Sequence, residues 1–333
     1  MYVDWQSEKV KRIYTGLGIL LGLAAAFGLR FLTVWIFDVV IVALACLAVW
    51  EVSKAKQLPS RGVPVYYLYS YIFLSYAMFV IGLTTGFAWW LHVIMQLVPI
   101  LVFALYTMIM NYMDADFVKE VTLKKGNLRD SSVRTAWEFL KVVLYPFLII
   151  ATLVPINHFA TFAYVLPFEG AQDLVQVAHI STFALLMVFV TSCLSDTFAY
   201  IVGRTFRGPK LFPKKYQWIS PGKTISGLIG ALFGGIVGAM LVLLVMTTDP
   251  LLQIFLTNQI GDSVTVQLAF VGIGLAGAII THMGDIYASW LKRKTGIKDF
   301  GNLLPGHGGA MDRLDGISWN AVFMFFVFLI IIF

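Results

Sequence analysis

Apolar runs of roughly twenty residues recur along the chain, separated by shorter polar stretches that hold most of its charge. A hydrocarbon core about 30 Å thick takes roughly 20 apolar helical residues to cross. That criterion marks nine candidate spans: Ile13 to Leu29, Phe31 to Trp50, Val65 to Thr84, Phe87 to Ile109, Ala136 to Leu153, Ala178 to Gly203, Ser226 to Met246, Val266 to Trp290 and Gly316 to Phe333. The pattern predicts an all-α, polytopic integral membrane protein. Neither an internal repeat nor a low-complexity tract interrupts it. It reads as one integrated domain, with five spans in residues 1–175 and four in residues 176–333.

The polar stretches differ in sign. Of the 24 Lys and Arg residues, all except Arg30 fall in alternate stretches: before the first span, at Lys54 to Arg61, at Lys119 to Lys141, at Arg204 to Lys223 and at Lys292 to Arg313. The intervening stretches carry Glu169, Asp173, Asp249 and Asp262. Cytoplasmic loops retain Lys and Arg, so the topology read here is N-in, C-out. Eight or ten spans would put basic loops on both faces. The stretch from Asn111 to Ala136 is the longest polar one, a short surface helix and turn or a solvated connector.

Composition agrees: 59% of residues are hydrophobic, 13% are charged, and mean hydropathy is +0.83. The net charge of +6 would suit a nucleic-acid partner only on a polar domain with a basic stripe, and the sequence has no such domain. Cys46 and Cys193 sit in apolar runs, so neither a disulfide nor a zinc pair is expected. The first twelve residues mix acids with bases and precede no small-residue cleavage site, so the first run is expected to stay as a span. A bacterial plasma membrane is expected over an organelle.

An ionisable group inside a membrane helix costs ~2.5 to 3.5 kcal/mol on the gentlest scale and marks a functional hypothesis. Asp38, Asp196 and Asp285 qualify. Asp38 is read as pairing with Arg30 or partly hydrated near the outer face. Asp196 is followed at four, seven and eight residues by Tyr200, Gly203 and Arg204, and Asp285 by Ser289, Lys292 and Arg293. Each helix thus presents a carboxylate at the membrane edge and a cation toward the cytoplasm. Together they build a polar cavity or, alternatively, buried acid–base contacts that only fix packing. The stretch Gly296 to Asp315, read as a loop, combines glycines with two aspartates. Mg²⁺ prefers carboxylate oxygen plus water and phosphate, which Asp285, Asp312 and Asp315 would supply together. Ordinary loop glycines are the competing account.

The segment Ser220 to Gly227 contains Gly-Lys-Thr but fails the nucleotide P-loop, because Gln217 stands where its first glycine belongs. Lys223 and Thr224 remain candidate phosphate contacts at a helix start. Gly230, Gly234 and Gly238 recur every four residues and predict a close helix contact, within the chain or between protomers. The five histidines form no metal pattern. His307 lies in the glycine stretch as a candidate phosphate contact, His92, His158 and His179 read as structural, and His282 is open between the two. No nucleophile triad is legible.

These residues resemble a known family. Ser289, Lys292, Arg293, Lys298, Asp299, Pro305, Gly306, His307, Gly308, Gly309, Asp312, Arg313 and Asp315 look like the C-terminal signature of the CDP-diacylglycerol synthases, or phosphatidate cytidylyltransferases. Asp196, Thr197, Ala199, Tyr200, Gly203 and Arg204 resemble an earlier motif, as do Ser220, Pro221, Lys223, Thr224 and Gly227. The likeness covers roughly residues 190 to 320; before it, only Trp50 and Glu51 match in detail. It implies transfer of the cytidylyl group of CTP to phosphatidic acid, with release of pyrophosphate, for phospholipid synthesis. It also implies metal binding at Asp285 and Asp312, with Asp315 or water completing the shell. The metal would be Mg²⁺, with or without a second monovalent or divalent cation. Lys223, Lys292, Arg293 and Arg313 would neutralise phosphates; Asp196, Tyr200, Arg204, Ser220, Thr224, Ser289, Lys298, His307, Gly308 and Gly309 would bind substrate. A homodimer is implied too. Three positions depart: Gly222, Ser226 and Ala288 stand where the family usually has Lys, Glu and Glu. The alternatives are a CTP-dependent polyprenol kinase, a transporter, and a weakened paralogue acting in lipid binding or assembly.

Overall fold

The computed structural model describes residues 5–58, 65–85, 89–123, 128–161, 179–306 and 308–332. Among these the regular structure is helical, apart from two isolated bridges, Lys210 with Thr224 and Leu304 with Gly308. The helices are α1 (Trp5–Arg30), α2 (Val34–Ala55), α3 (Val65–Thr85), α4 (Trp89–Met113), α5 (Ala115–Leu123), α6 (Leu128–Val142), α7 (Ile149–Ala151), α8 (Leu153–Asn157), α9 (Ile180–Phe206), α10 (Ile225–Met246), α11 (Pro250–Ile260), α12 (Ser263–Lys294) and α13 (Met311–Ile332). Seven stretches among the described residues are long and apolar enough to cross a membrane: α2, α3, Ser131–Asn157, α9, α10, α12 and α13. The other two expected spans correspond to shorter apolar segments, Tyr14–Arg30 and Ile100–Met113. This is a multi-pass, all-α membrane protein.

Polar residues at apolar runs set where helices begin. Thr224 caps α10 by accepting from Gly227 N at 3.1 Å, and Asp262 caps α12 by accepting from Thr265 N at 3.2 Å. Asp249 caps α11, with Pro250 in the first helical position. α11 forms in a stretch read from the sequence as a connector, and α5 and α6 fill most of the polar stretch from Asn111 to Ala136. One boundary needs correction. The last helix starts at Met311, not Gly316, so Asp312, Arg313 and Asp315 belong to its first turns and not to a loop. Acids suit a helix N-terminus, where free N–H groups point outward, and their polarity had disguised helix as loop.

The fifth span is broken. Pro146 lacks an N–H and pushes its predecessor out of the helical region. Tyr145 accordingly lies at φ −140°, ψ 117°, inside a wide turn over Val143–Leu148 that separates α6 from α7. The break redirects the Tyr145 ring edge-on to Tyr287 of α12, with centroids 4.7 Å apart.

Lipid offers helices no hydrophobic drive to associate, so close backbone packing matters more. α10 meets α9 along its glycine row: a Cβ at Gly230, Gly234 or Gly238 would strike Phe198, Leu194 or Thr191 of α9. The contact is thus internal. On α10's other side Gly235 faces Gly274 of α12. A polar seam ties the same group together, with Asn320 Nδ2 of α13 within 3.0 Å of Val188 O, Thr191 Oγ1 and Ser192 Oγ.

The far end of the bundle holds a second network, in which Arg30 and Asp38 act on each other electrostatically but are linked through Asn157 and not by direct contact. Arg30 donates to Asn157 Oδ1 at 2.6 Å and to Thr182. Asp38 instead accepts from Asn157 at 2.8 Å and from Tyr76 at 3.0 Å, and lies 2.7 Å from His158 Nε2. Asn157 therefore stands between the two charges, and His158 meets Asp38 through Nε2 while its Nδ1 has no partner among the described residues. Asp38, Asn157 and His158 are buried, so the cost of each charge is offset by hydrogen bonds and not by hydration.

Candidate active site

At the opposite end, four elements converge. α9 brings Asp196, the segment before α10 brings Lys223, α12 brings Asp285, Ser289 and Lys292, and α13 brings Asp312, Arg313 and Asp315. Small residues allow the approach. Gly203 and Gly227 face each other where α9 ends and α10 begins, and Gly284 and Gly316 let α12 and α13 touch beside Asp285 and Asp315. The excursion between α9 and α10 doubles back on itself. Leu211 N donates to Lys223 O at 3.0 Å and Ile225 N to Pro209 O at 2.9 Å. Lys223 is returned in this way to the bundle.

Two ion pairs organise the site. Lys223 Nζ lies 2.7 Å from Asp285 Oδ2, and Lys292 Nζ lies 2.7 Å from Asp312 Oδ1. Each base comes from a different element than its acid or from a distant turn, so the local Asp-to-Arg contacts weighed from the sequence are not what forms. Asp285 also stands within electrostatic reach of Asp196 and Asp315, giving three neighbouring carboxylates. Their mutual repulsion is opposed by Lys223, by Lys292 and by Arg313, which acts on Asp196. The Asp285 side chain keeps 35% of its surface open although protein surrounds it, so it lines a crevice and is not sealed.

Asp312 is differently placed. It is buried, and its Oδ2 accepts from Phe300 N and Gly309 N, each at 2.9 Å, while Oδ1 meets Lys292. Those three bonds use most of the about four lone-pair directions of a carboxylate. Gly308 takes φ 86°, a left-handed conformation that suits glycine, and a Cβ there would crowd Asp312 Oδ2.

The remaining candidates sit around the rim. Ser289 Oγ reaches Asp285 at 3.5 Å, the outer limit of a hydrogen bond. Thr224 is spent on its cap, and Ser220 O accepts from Lys223 N at 3.4 Å. Arg204 donates to Tyr200 at 2.5 Å on an exposed face, Arg293 donates to Ile297 O at 3.3 Å, and Lys298 is exposed. The structure does not draw those four into the acidic cluster. His307 lies outside the described residues. His282 is buried one turn before Asp285, and its Nδ1 has no partner among the described residues.

Two residues of the N-terminal half belong to this end, and sequence reasoning gave neither a role. Glu51, 1% exposed at the end of α2, accepts from Ala310 N at 2.9 Å and Met311 N at 2.8 Å, binding the N-terminus of α13. Gly301 and Gly309 leave room for that carboxylate. Its signal was an acid closing an apolar run. Tyr145 has its phenol buried within electrostatic reach of Asp285, Asp312 and Asp315. Its signal was a proline inside a predicted span. α1 adds a contact at the same end, Thr15 Oγ1 to Pro305 O at 3.0 Å.

The sequence model described as "Cytidylyltransferase family" matches residues 10–331, nearly the whole chain. The chain belongs to the cytidylyltransferase family. Curated relatives called phosphatidate cytidylyltransferase include one from Rickettsia felis, 38% identical over 146 residues, which are 43% of this chain and 57% of that one. Another, from Brucella abortus, is 35% identical over 141 residues, 42% of this chain and 45% of its own. A third, from Haemophilus influenzae, is 34% identical over 148 residues. The matched stretch spans about half the length of these relatives. The three positions expected from the sequence to depart from the family have distinct settings: a Cβ at Gly222 would meet nothing within 4 Å, Ser226 Oγ accepts from Gly208 N at 3.1 Å, and Ala288 is fully buried.

Proposed function

We propose that this protein transfers the cytidylyl group of CTP to phosphatidic acid, forming CDP-diacylglycerol and pyrophosphate for phospholipid synthesis. The observation that carries the reading is the pairing of Lys223 with Asp285 and Lys292 with Asp312 beside a carboxylate-lined crevice at one end of a membrane bundle. The names of the curated relatives favour it over a polyprenol kinase.

In the proposed reaction a phosphate oxygen of phosphatidate attacks the α-phosphorus of CTP, the bond from that phosphorus to the bridging oxygen breaks, and pyrophosphate leaves with the electron pair. The nucleophile is already anionic, so no general base is needed. The obstacle is repulsion between two polyanions, which preorganised cations relieve. Lys223 and Lys292 are placed to exchange part of their carboxylate contact for phosphate, and Arg313 supplies further positive charge.

The donor set suits Mg²⁺. Among the described residues no three acidic, histidine or cysteine side chains converge as a closed metal cage. Mg²⁺ ordinarily takes one or two carboxylates and fills its octahedron with water and substrate phosphate. Asp285 and Asp315 would hold it, with Asp312 limited to its remaining lone pair; a second cation would draw on Asp196. When bound it would neutralise phosphate oxygens and the departing pyrophosphate.

The site is assigned to the cytoplasmic face of a plasma membrane with N-in, C-out topology, because the bases that retain this end also form the site. A homodimer completes the proposal. The test is incubation of purified protein in detergent with labelled CTP, phosphatidic acid and Mg²⁺, followed by separation of CDP-diacylglycerol and pyrophosphate. Folded protein that yields neither product overturns the assignment.

A further inference from the structure

The fifth span holds a donor with nothing to donate to. Tyr145 is 5% exposed, and its hydroxyl has no hydrogen-bond partner among the described residues. Buried hydroxyls are normally satisfied, and one that is not points to a missing partner. The surroundings narrow what that partner is. The ring stands against Tyr287, two residues beyond Asp285, and Asp285, Asp312 and Asp315 all act on the phenol electrostatically without bonding it. Lys223 and Lys292 bring positive charge to the same acids. An anion drawn to those lysines would lie next to a phenol that is protonated at neutral pH, since an ordinary tyrosine titrates near 10.

The break at Pro146 also fixes which end of the substrate is concerned. Two and three residues after Tyr145, Phe147 and Leu148 help to line a partly open apolar cavity of about 350 Å³ with Ile41, Ile72 and Phe325. One short segment thus joins the charged crevice to an apolar groove, the arrangement a molecule with a phosphate head and hydrocarbon tails would span.

We propose that Tyr145 donates its O–H to the phosphate of the lipid substrate, so that the broken fifth span supplies the lipid-side contact of the site. The inference rests on the function proposed above and adds a residue outside the resembling C-terminal stretch.

The test is Tyr145→Phe, which removes one oxygen and keeps the ring. A hydroxyl without a partner in the ligand-free protein contributes no bond to folding, so the ligand-free unfolding midpoint stays the same or rises. With phosphatidate as the varied substrate, kcat/KM falls on the order of tenfold or more. The KM for CTP at saturating lipid changes by less than about twofold. A phosphatidate kcat/KM within twofold of the parent, or equal losses on both substrates with a lowered ligand-free midpoint, overturns the proposal. A second readout is independent of turnover. Phosphatidate added to the protein in detergent micelles raises the unfolding midpoint of the parent more than that of Tyr145→Phe. If the parent shows that shift but makes no CDP-diacylglycerol, the transferase reading fails and the contact stands. If phosphatidate stabilises parent and variant equally, or neither, the contact is refuted.

Discussion

Replacing Glu51 tests whether the N-terminal half of the chain holds the catalytic end in place. Its carboxylate accepts the first free N–H groups of α13, from Ala310 and Met311, across 259 and 260 residues of sequence. Bonds of this kind, with one partner ionised, contribute ~1.5 to 3 kcal/mol each, and the negative charge is further favoured at a helix N-terminus. Glu51→Ala leaves two donors unsatisfied in a site where Glu51 is 1% exposed. The expected loss is roughly 2 to 6 kcal/mol, about 1 to 3 for each stranded N–H. Glu51→Gln keeps one carbonyl oxygen and turns an NH₂ toward the other donor, so about half of that, ~2 kcal/mol, is lost.

The consequence reaches the chemistry through Asp312. The same segment that Glu51 holds, Gly309 to Met311, also delivers Gly309 N to Asp312 Oδ2, and Asp312 in turn positions Lys292. If the bound geometry must be rebuilt at each turnover, ~2 kcal/mol corresponds to about 30-fold in kcat/KM for Glu51→Gln, and more for Glu51→Ala. Two assays read this: transfer from CTP to phosphatidate, and amide hydrogen exchange over residues 308–314. Exchange at Ala310 and Met311 should accelerate in both variants before the bundle as a whole unfolds. Unchanged protection at those two amides would refute the reasoning, whatever happened to the rate.

Four further outcomes follow from other contacts. Lys223→Met leaves Asp285 uncompensated beside Asp196 and Asp315, so it should lower the unfolding midpoint more than Lys223→Met with Asp285→Asn does, with a coupling of ~1 to 3 kcal/mol; additive effects in that cycle would show the 2.7 Å pair to be incidental. Asp285→Asn alone should cut turnover roughly 100-fold or more if its charge holds a cation and Lys223, measured as CDP-diacylglycerol formed per folded protein, and near-parent rates would remove it from the site. Asn157→Ala should destabilise by roughly 3 to 5 kcal/mol, because Arg30 and Asp38 both lose a buried partner; a midpoint within a degree of the parent would contradict that network. Restoring family residues should divide by setting: Gly222→Lys enters open space and leaves the midpoint unchanged, whereas Ala288→Glu buries a carboxylate, costs several kcal/mol of stability and lowers the midpoint, and equal midpoints for the two would contradict the burial of position 288.

How much of this the sequence carried depends on the range of the interaction. Helices over apolar runs were legible because crossing lipid satisfies every backbone group locally, whatever the neighbours. The glycine row of α10 was legible because Gly230, Gly234 and Gly238 mark one face at helical spacing, although nothing in the spacing said that α9 was its partner. Asp285 and Lys223 were each singled out as unusual in an apolar setting, but their pairing depends on the fold-back between Arg207 and Lys223, which no periodicity encodes. The start of α13 was misplaced for a related reason. Asp312, Arg313 and Asp315 look like loop by polarity, and only the carboxylate of Glu51 arriving from α2 makes a helix terminus the favourable place for Met311.

Glu51 and Tyr145 show the limit most clearly. Glu51 acts on backbone N–H groups, which every residue except proline carries, so the partner segment bears no complementary side chain that could announce it. Tyr145 is defined by what surrounds its hydroxyl, and those neighbours come from α12 and α13, more than a hundred residues away. The proline beside it could have warned that the fifth span bends, since it forces Tyr145 out of the helix. A bend alone does not say which way the ring turns; that follows from where Tyr287 stands, and Tyr287 is held by the packing of α12 on α13 through Gly284 and Gly316. The chemistry of this end is therefore assembled by helix packing at glycines, while the individual charged residues supply only its vocabulary.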